Sequence, residues 1–397
     1  MTDSKLRAWW WARQGLDGSL IGSSPSSVLE RSGWARSVGG VGPYLTLFAR
    51  ARISRADADA AVAGIAIHEL PAARGCTYVL PARDFAVGLT VAQAFGDADM
   101  RLAAKLGVPE SEIDALVAAV LGVLGDEPLD PDGIKTLVGG AVRNLGDEGK
   151  KKGMITTLPV ALGWLQARGE IRRVPVGGRL DQQRYRYVRW SSNPLASRSL
   201  TRADAYAELA RLFFRWVGPA TMAEFQWFSG LGVKAAKDAV ATLSLAPVVE
   251  GERLLLPEDV AAFASFQAPD TPSYALVSSL DAISAARREV MSLVDESDRA
   301  TIAKITLGTG SGGNVADLAA HAILDRGRLI GYWEYDSGAR EIVWILFGKG
   351  KKDKGLLRAV DETESFVRDQ LGDARSFSLD SPKSRQPKIE ALRTLAS

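Results

Sequence analysis

Apolar and polar residues are patterned along this chain in three segments that share one order of elements. Each segment predicts helices, then a short apolar helix, and then a β-hairpin. In the clearest of them, a first helix is expected to start near Asp130, and a second one, with Pro159 in its first turn, to end at Gly169. Two strands follow, EIRRVPV and RYRYVRW, and a Gly177-Gly178 loop separates them.

The same order returns at 199–256, where three helices precede a hairpin around Glu250 and Gly251. The N-terminal third is a looser version, with RGCTYVLPARDF as its hairpin. Ser54 and Asp57 are expected to cap the last helix of that third. Its helices are predicted near 5–16, 25–36, 43–50 and 54–63.

Helices followed by a hairpin are typical of the winged-helix arrangement, in which one helix enters a nucleic-acid groove and the hairpin, or wing, reaches the backbone. The chain is therefore predicted to be an α+β protein with three tandem winged-helix units and a C-terminal β-rich or barrel-like element. The predicted domains are 1–126 (N-terminal, winged-helix-like), 127–198 (second winged helix, with an arginine-rich wing), 199–267 (third winged helix) and 268–397 (C-terminal α/β or β-barrel-like).

Composition excludes several classes of protein. The chain has 397 residues, of which 46% are hydrophobic, and a formal net charge of +2. Cys76 is the only cysteine, so no internal disulfide can form and a reducing compartment is expected. The two histidines, His68 and His321, lie far apart in sequence, so no metal site is expected, and no cofactor either. Because the sequence has no signal-peptide pattern and no apolar run of 18 residues, we predict a soluble, cytoplasmic protein with no membrane partner.

The charge is concentrated in one region. Residues 150–190 carry ten basic and two acidic side chains, a local charge of +8 in a chain of +2. This asymmetry indicates a polyanionic partner, and an arginine-rich wing after a short helix is suited to contact phosphates. Two alternatives remain: a charged hairpin without contact to DNA, and a winged helix that binds protein. Tyr185 and Tyr187 alternate with the arginines, either to hold bases or as the packed face of a strand.

Four further features have plainer interpretations. The GxGxxG of Gly308, Gly310 and Gly313 lacks a βαβ context and predicts a flexible loop rather than a dinucleotide site. The stretch GKGKKDKG at 348–355 lacks the Walker A spacing and predicts a solvated basic turn. Three consecutive tryptophans at 9–11 cannot share one helix face, so we expect packing, with one ring free to stay exposed. Cys76 is expected to be a small buried residue.

Five segments, taken in order, carry a family resemblance: RQGLDG (13–18), GGVGPYLTLFARARISRADADAAV (39–62), RGCTYVLPARD (74–84), LDRGRLIGYW (324–333) and SPKSRQPKIEALR (381–393). Each is weak alone, and their order and spacing give them weight. Together they resemble the winged-helix AlkZ-like DNA glycosylases, a family associated with excising N-alkylated bases and unhooking interstrand crosslinks. The resemblance implies three tandem winged helices and a β-rich C-terminal element around a basic channel for duplex DNA.

The family's catalytic feature is a Gln-x-Gln or Gln-x-Asp pair, just before a helix that ends in a Leu-x-x-Arg-like stretch. That stretch corresponds here to residues 47–50. A gapless alignment extended back from it places Arg36 and Val38 at the two positions of the pair. No Asp, Glu, Asn or Gln occurs between Glu30 and Asp57, so the pair is absent. A cation at position 36 opposes the positive charge that develops on the sugar during glycosidic hydrolysis.

The leading hypothesis is a DNA-binding protein on this glycosylase scaffold, whose site for excising N-alkylated or crosslinked purines has diverged or been lost. If catalysis survives, the candidate catalytic residues are Glu30 and Arg36. Glu30 is then a displaced water activator, and Arg36 and Tyr44 line the lesion pocket. The alternative for Glu30 is an ordinary surface residue of a helix. The alternatives are a non-catalytic winged-helix protein for damage recognition or regulation, and a scaffold that binds only protein. The protein is expected to be a monomer. The residues predicted to contact double-stranded DNA are Tyr44, Arg74, Lys150, Lys151, Lys152, Arg172, Arg179, Arg184, Arg186 and Arg189.

Overall fold

The computed structural model describes residues 3–182, 184–249, 252–305, 316–348 and 352–396. Helices predominate, and the strands of these ranges form four separate antiparallel sheets. Within the same ranges, no helix combines the length and the apolar character that crossing a membrane requires. The glycines of the GxGxxG and the centre of GKGKKDKG lie outside the described residues.

The N-terminal segment combines six helices with a three-stranded sheet in the order β1-β3-β2. Its predicted hairpin is present, and it forms the strands β2 and β3. Ser54 caps α4 as predicted, since its hydroxyl accepts a 3.1 Å hydrogen bond from the amide of Asp57. The elements are α1 (Asp3–Arg13), α2 (Pro25–Ser32), β1 (Ala35–Arg36), α3 (Gly42–Ala51), α4 (Arg55–Ala63), β2 (Ile67–Pro71), β3 (Thr77–Pro81), α5 (Phe85–Lys105) and α6 (Glu110–Val123).

The helix predicted at 25–36 is wrong at its C-terminal end, and this changes the position of Arg36. Helix α2 ends at Ser32, and Gly33 has φ +101°, a conformation that side chains disfavour. The chain is then extended, and Arg36 pairs with Tyr78 of β3. Arg36 therefore lies on an edge strand of the sheet rather than on a helix.

The second segment follows the predicted order. The carboxylate of Asp130 accepts a 2.7 Å hydrogen bond from the amide of Gly133 and so starts α7. Gly169, at φ +67°, follows the end of α9 as expected. Strands β4 and β5 pair antiparallel, with Ile171 opposite Arg189. The elements are α7 (Pro131–Val138), α8 (Gly146–Lys151), α9 (Leu158–Ala167), β4 (Ile171–Pro175) and β5 (Tyr185–Arg189).

We call β4, β5 and the loop between them the arginine hairpin (171–189). Its loop does not project freely into solvent. Leu180 is fully buried in the hydrophobic core of the N-terminal segment, and its amide donates a 2.9 Å hydrogen bond to the hydroxyl of Tyr44. Arg179 donates to the carbonyl of Leu371 at 3.0 Å. The loop therefore joins the second segment to the rest of the molecule.

The third segment also matches its predicted order. Two of its helices begin with capping boxes, in which a threonine hydroxyl and an acidic side chain three residues later satisfy each other's backbone amides. The turn of its hairpin, at 250–251, lies outside the described residues. The elements are α10 (Arg202–Val217), α11 (Met222–Ser229), α12 (Val233–Val240), β6 (Ala246–Val249), β7 (Arg253–Leu255) and α13 (Val260–Ser265).

The C-terminal segment is an open sheet and not a barrel. In the described part of the chain, its four strands have the order β11-β10-β9-β8, so β8 and β11 are unpaired at the two edges. Helix α17 packs on β10 and β11 and was not predicted as a helix. The elements are β8 (Tyr274–Val277), α14 (Ala282–Ala285), α15 (Glu296–Lys304), β9 (His321–Asp325), β10 (Arg328–Asp336), β11 (Glu341–Leu346), α16 (Lys354–Phe366) and α17 (Pro382–Ala396).

The hydrophobic cores join segments that are distant in sequence. Trp9, Trp10 and Trp11 of α1 are all buried, so none of the three rings is the exposed one that the sequence allowed. The indole of Trp9 donates a 2.9 Å hydrogen bond to the carbonyl of Gly218, just beyond α10. Their hydrophobic cluster also contains residues of the C-terminal sheet. Helix α1 is therefore packed between the third and the C-terminal segments.

Candidate active-site cleft and DNA-facing surface

An open cleft of about 430 Å³ lies where the N-terminal sheet meets the arginine hairpin. One wall is the edge strand and the residues after it, with Arg36, Ser37 and Val38. The facing wall is the hairpin, through Arg173 and Tyr185. We call this feature the Ser37 cleft. It contains both positions at which the resemblance places the missing pair.

A buried carboxylate lies behind the wall of the Ser37 cleft. Glu69 of β2 is 2% exposed, and its Oε1 accepts a 2.5 Å hydrogen bond from the hydroxyl of Ser37. The hydroxyl of Tyr185 donates to the same oxygen at 3.2 Å. The other oxygen, Oε2, is buried without a hydrogen-bond partner among the described residues. Burial raises the pKa of Glu69, and the hydrogen bond from Ser37 and the charge of Arg173 oppose that rise.

This arrangement supplies a proton acceptor beside a group that lines the cleft. Ser37 is at the lining of the cleft but is itself only 2% exposed, and its hydroxyl is hydrogen-bonded to the equally buried carboxylate of Glu69. A hydroxyl held in this way is a hydrogen-bond partner for a water molecule, and an ionised carboxylate is a proton acceptor. Strand β3 holds the two groups at this distance, because β1 and β2 pair with its two edges.

Exposed and packed side chains alternate over residues 184–187 of the arginine hairpin. Tyr187 is buried and Tyr185 is half-buried, whereas Arg184 and Arg186 are exposed. Neither arginine forms an ion pair within the described ranges. Of the two alternatives for the tyrosines, this geometry favours the packed face. The two arginines are free to bind an anion in solvent.

The other basic residues predicted to contact DNA differ in availability. Arg179 is engaged by Asp181, and Arg189 is exposed but donates to the carbonyl of Leu121. Arg172 is half-buried, with its guanidinium 5.6 Å from the ring of Trp190. The three consecutive lysines lie at the end of α8 and are exposed, and the middle one pairs with Glu148. The lysines are Lys150, Lys151 and Lys152.

Tyr44 and Glu30, two of the residues predicted at the catalytic site, lie outside the Ser37 cleft. Tyr44 is fully buried, donates to Asp59 and accepts from Leu180, so it is a packing residue of α3 and lines neither this cleft nor the cavity described below. Glu30 forms a 3.1 Å ion pair with Arg83 and likewise lines neither. Of the three residues predicted at the catalytic site, the water activator Glu30 and the lining residues Arg36 and Tyr44, only Arg36 lines the Ser37 cleft.

Arg74 belongs to a second cavity. Its backbone is left-handed, at φ +57°, in the turn between β2 and β3, and its guanidinium lies 3.5 Å from the ring centroid of Trp227. Cys76 follows this turn and is half-buried rather than buried, because it lines the Ser37 cleft. Among the described residues, no group of three or more His, Cys, Asp or Glu side chains is placed to hold a metal ion.

Neither Glu69 nor Ser37 was predicted from the sequence as a functional residue. A charged residue in the otherwise apolar strand IHELP was a signal for the first, because a buried carboxylate needs a partner. No signal identified the second, since its partner lies 32 residues away on another strand.

The comparisons with known proteins agree with this architecture. No curated protein sequence matches the chain. The DNA glycosylase AlkZ of Streptomyces sahachiroi has a similar structure, with a TM-score of 0.69 and 17% identity over 95% of this chain and 98% of that chain. At this identity the likeness concerns the fold. The model of the family described as DNA glycosylase AlkZ-like matches residues 41–348, which is more than half of the chain. The chain therefore belongs to the AlkZ-like DNA glycosylase family.

Proposed function

We propose that this protein binds duplex DNA through the arginine hairpin and excises damaged bases at the Ser37 cleft. The observation that carries the proposal is the Ser37–Glu69 pair, a buried carboxylate joined to the wall of a cleft beside exposed arginines. It supplies a proton acceptor in a family member whose glutamine pair is replaced by Arg36 and Val38.

Free cationic side chains support the DNA-binding half of the proposal. Arg184 and Arg186 are exposed and flank in sequence Tyr185, which lines the cleft, and Lys150 and Lys152 are exposed on the same segment. Each of the three hairpins, β2–β3, β4–β5 and β6–β7, follows helices, which supports the winged-helix interpretation. Arginines and lysines that neutralise phosphates release counterions, so the affinity is expected to fall steeply with salt.

The proposed reaction is hydrolysis of the bond between the sugar carbon and the base nitrogen. A water oxygen bonds to the sugar carbon, its proton passes to Ser37 Oγ, and the Ser37 proton passes to Oε1 of Glu69. The electron pair of the broken bond leaves with the base. Arg36 lines the cleft, and its guanidinium is a donor for the leaving base or a phosphate. Its charge does not help a positive sugar, so we assign it no role there.

A multiple-turnover assay tests the proposal. Duplex DNA with one N7-methylguanine is incubated with the wild type, Glu69→Gln, Ser37→Ala or Glu30→Gln, and alkali-labile sites are scored against a control without protein. We expect wild-type release above the control, and a loss of about 100-fold or more in Glu69→Gln with unchanged duplex binding. Loss in Glu30→Gln with activity in Glu69→Gln would assign the water activator to Glu30 instead.

The second candidate is a non-catalytic DNA-binding protein. The observation that favours it is the replacement of the glutamine pair by Arg36 and Val38 in the cleft. Wild-type release no faster than the control, together with tight and salt-sensitive binding of the same duplex, would support it. The absence of DNA affinity would support a scaffold that binds protein.

A further inference from the structure

A second cavity, of about 300 Å³, lies between the N-terminal sheet, α10, α11 and α14. It shares one lining residue, Arg36, with the Ser37 cleft. Its volume is that of a small-molecule site. We call it the aromatic cavity, because six aromatic side chains line it: Trp34, Tyr78, Trp216, Trp227, Phe228 and Phe377.

Two of the rings that line this cavity, Trp34 and Trp216, are held in place by hydrogen bonds from their indole N–H groups. The indole of Trp34 donates to Asp84 at 2.8 Å, and that of Trp216 donates to the carbonyl of Glu30 at 3.0 Å. The two rings are 5.4 Å apart between centroids and inclined by 60°. Since both indole N–H groups are satisfied, these rings offer apolar faces in a fixed arrangement. A planar aromatic ligand would lose little free energy to reordering such walls.

Arginines make the same cavity electropositive. Arg74 and Arg288 lie 3.5 and 4.0 Å from the ring centroid of Trp227, and Arg36 lies 5.2 Å from that of Tyr78. Burial lowers the pKa of Arg74, and the charges of Arg36 and Arg288 add to this effect. The cavity has one lining carboxylate in the described residues, Asp317, which pairs with Arg288 at 3.3 Å. The charge of Asp317 also acts on Arg74, but neither Arg36 nor Arg74 forms an ion pair among the described residues.

The unpaired donors of these two arginines point to a missing acceptor. Nη1 of Arg36 and Nη1 of Arg74 are buried and have no hydrogen-bond partner among the described residues. Buried donors without a partner are costly, and charged donors more so, which an acceptor on a ligand relieves. A carboxylate or phosphate is the acceptor that guanidinium groups bind best.

We infer that the aromatic cavity binds a planar aromatic molecule that carries a carboxylate or phosphate group. The ring lies against Trp34 and Trp216, and the anion accepts hydrogen bonds from Arg36 and Arg74. Two sources supply this chemistry, a free aromatic acid and a nucleotide with its phosphate. A cationic aromatic molecule without an acid group does not match this charge pattern. The inference does not depend on base excision.

Isothermal titration calorimetry on the full chain tests the inference with a charge series. The probes are 2-naphthoate, its neutral analogue 2-naphthamide, the cation 2-naphthylmethylammonium, and the nucleotide dGMP. We expect 2-naphthoate to bind at least about tenfold more tightly than the amide, and the cation not to bind. Equal affinity for the acid and the amide, or no binding of both 2-naphthoate and dGMP, would overturn the inference. Tighter binding of dGMP would identify a nucleotide as the source, and tighter binding of 2-naphthoate a free acid.

Substitutions of residues that line the aromatic cavity test whether 2-naphthoate binds there. Arg36→Gln and Arg74→Gln are each expected to weaken 2-naphthoate binding about tenfold or more and to leave the amide unchanged. Ala285→Phe keeps both arginines but fills the cavity, so it should abolish binding of the acid and the amide alike. Arg358→Gln, an exposed arginine of α16, is the matched control and should change neither. Loss of affinity in Arg358→Gln equal to that in Arg74→Gln would show that the acid binds by general charge, against the inference.

Discussion

The hydroxyl of Ser37 donates a 2.5 Å hydrogen bond to Oε1 of Glu69, across the central strand of the N-terminal sheet. The amide of Ser37 is held as well, by a 3.0 Å hydrogen bond to the carbonyl of Thr77. Both contacts fix the serine at the wall of the cleft, while the carboxylate remains buried. Ser37 and Glu69 are each 2% exposed, so the pair is a buried hydroxyl–carboxylate contact at the wall of the cleft.

The buried acid gives the stability a pH dependence that Glu69→Gln should remove. Because burial raises the pKa of Glu69 in the folded state, its stabilising contribution is complete below the unfolded pKa and is lost as pH rises through the folded pKa. The wild type should therefore lose stability relative to Glu69→Gln as pH rises. Denaturant unfolding at several pH values measures this difference. Glu127→Gln, at an exposed site, is the control, and a pH-independent difference for Glu69→Gln would contradict the prediction.

Asp84 predicts a second pH effect of the same sign. Burial raises its pKa from 3.8 to about 6, although the indole of Trp34 donates to it. We expect Asp84→Asn, which can still accept from Trp34, to be more stable than the wild type at pH 7 by up to about 3 kcal/mol. Below about pH 4 the two should unfold at the same denaturant concentration. Equal stability at pH 7 would mean that Asp84 is ionised at little cost.

Arg50 joins α3 to the C-terminal segment through a buried ion pair. Its two terminal nitrogens each lie 2.7 Å from an oxygen of Asp281, and both side chains are fully buried. Arg50→Ala leaves the carboxylate buried and unpaired, so we expect a loss of about 3–5 kcal/mol in the free energy of unfolding. Arg52→Ala removes the exposed pair with Glu362 and should cost less than about 1 kcal/mol. Similar losses for the two variants, by urea or guanidinium unfolding, would contradict this prediction.

The exposed arginines of the hairpin predict a salt effect. Arg184→Ala with Arg186→Ala should weaken duplex binding and reduce the slope of log affinity against log salt by about 2, if each arginine neutralises one phosphate. Fluorescence anisotropy of a labelled duplex at several salt concentrations measures the slope. Lys354→Ala with Arg358→Ala, which removes two exposed charges of α16, should leave it unchanged. An unchanged slope in the hairpin variant would count against its contact with DNA.

The burial of Leu180 predicts that the hairpin loop contributes to the stability of the fold. The side chain is fully buried against α3 and α4, so Leu180→Ala should cost about 2–5 kcal/mol in the free energy of unfolding. Leu379→Ala, at a side chain that is 89% exposed, is the control and should change stability by less than about 0.5 kcal/mol. A small effect of Leu180→Ala would show that the loop leaves the core at little cost.

The sequence by itself determined the elements whose signals are local. Asp130 starts α7, Gly169 follows the end of α9, and the two hairpins of 171–189 and 246–255 lie where they were expected. The resemblance to the AlkZ-like family and the absence of its glutamine pair were also readable from the order of residues. Caps, glycine turns and hydrophobic periodicity act over a few residues, so the local chain is enough to reveal them.

Only the tertiary structure decided which side chains face a cavity. In the folded protein Tyr44 is buried, Arg36 lies on an edge strand rather than on the predicted helix, and Ser37 is hydrogen-bonded to Glu69. It also assembled the aromatic cavity from the N-terminal, third and C-terminal segments. Such groupings depend on strand pairing and on the packing of distant segments. Their free energy comes from contacts between residues far apart in sequence, and no local pattern specifies which residues these are.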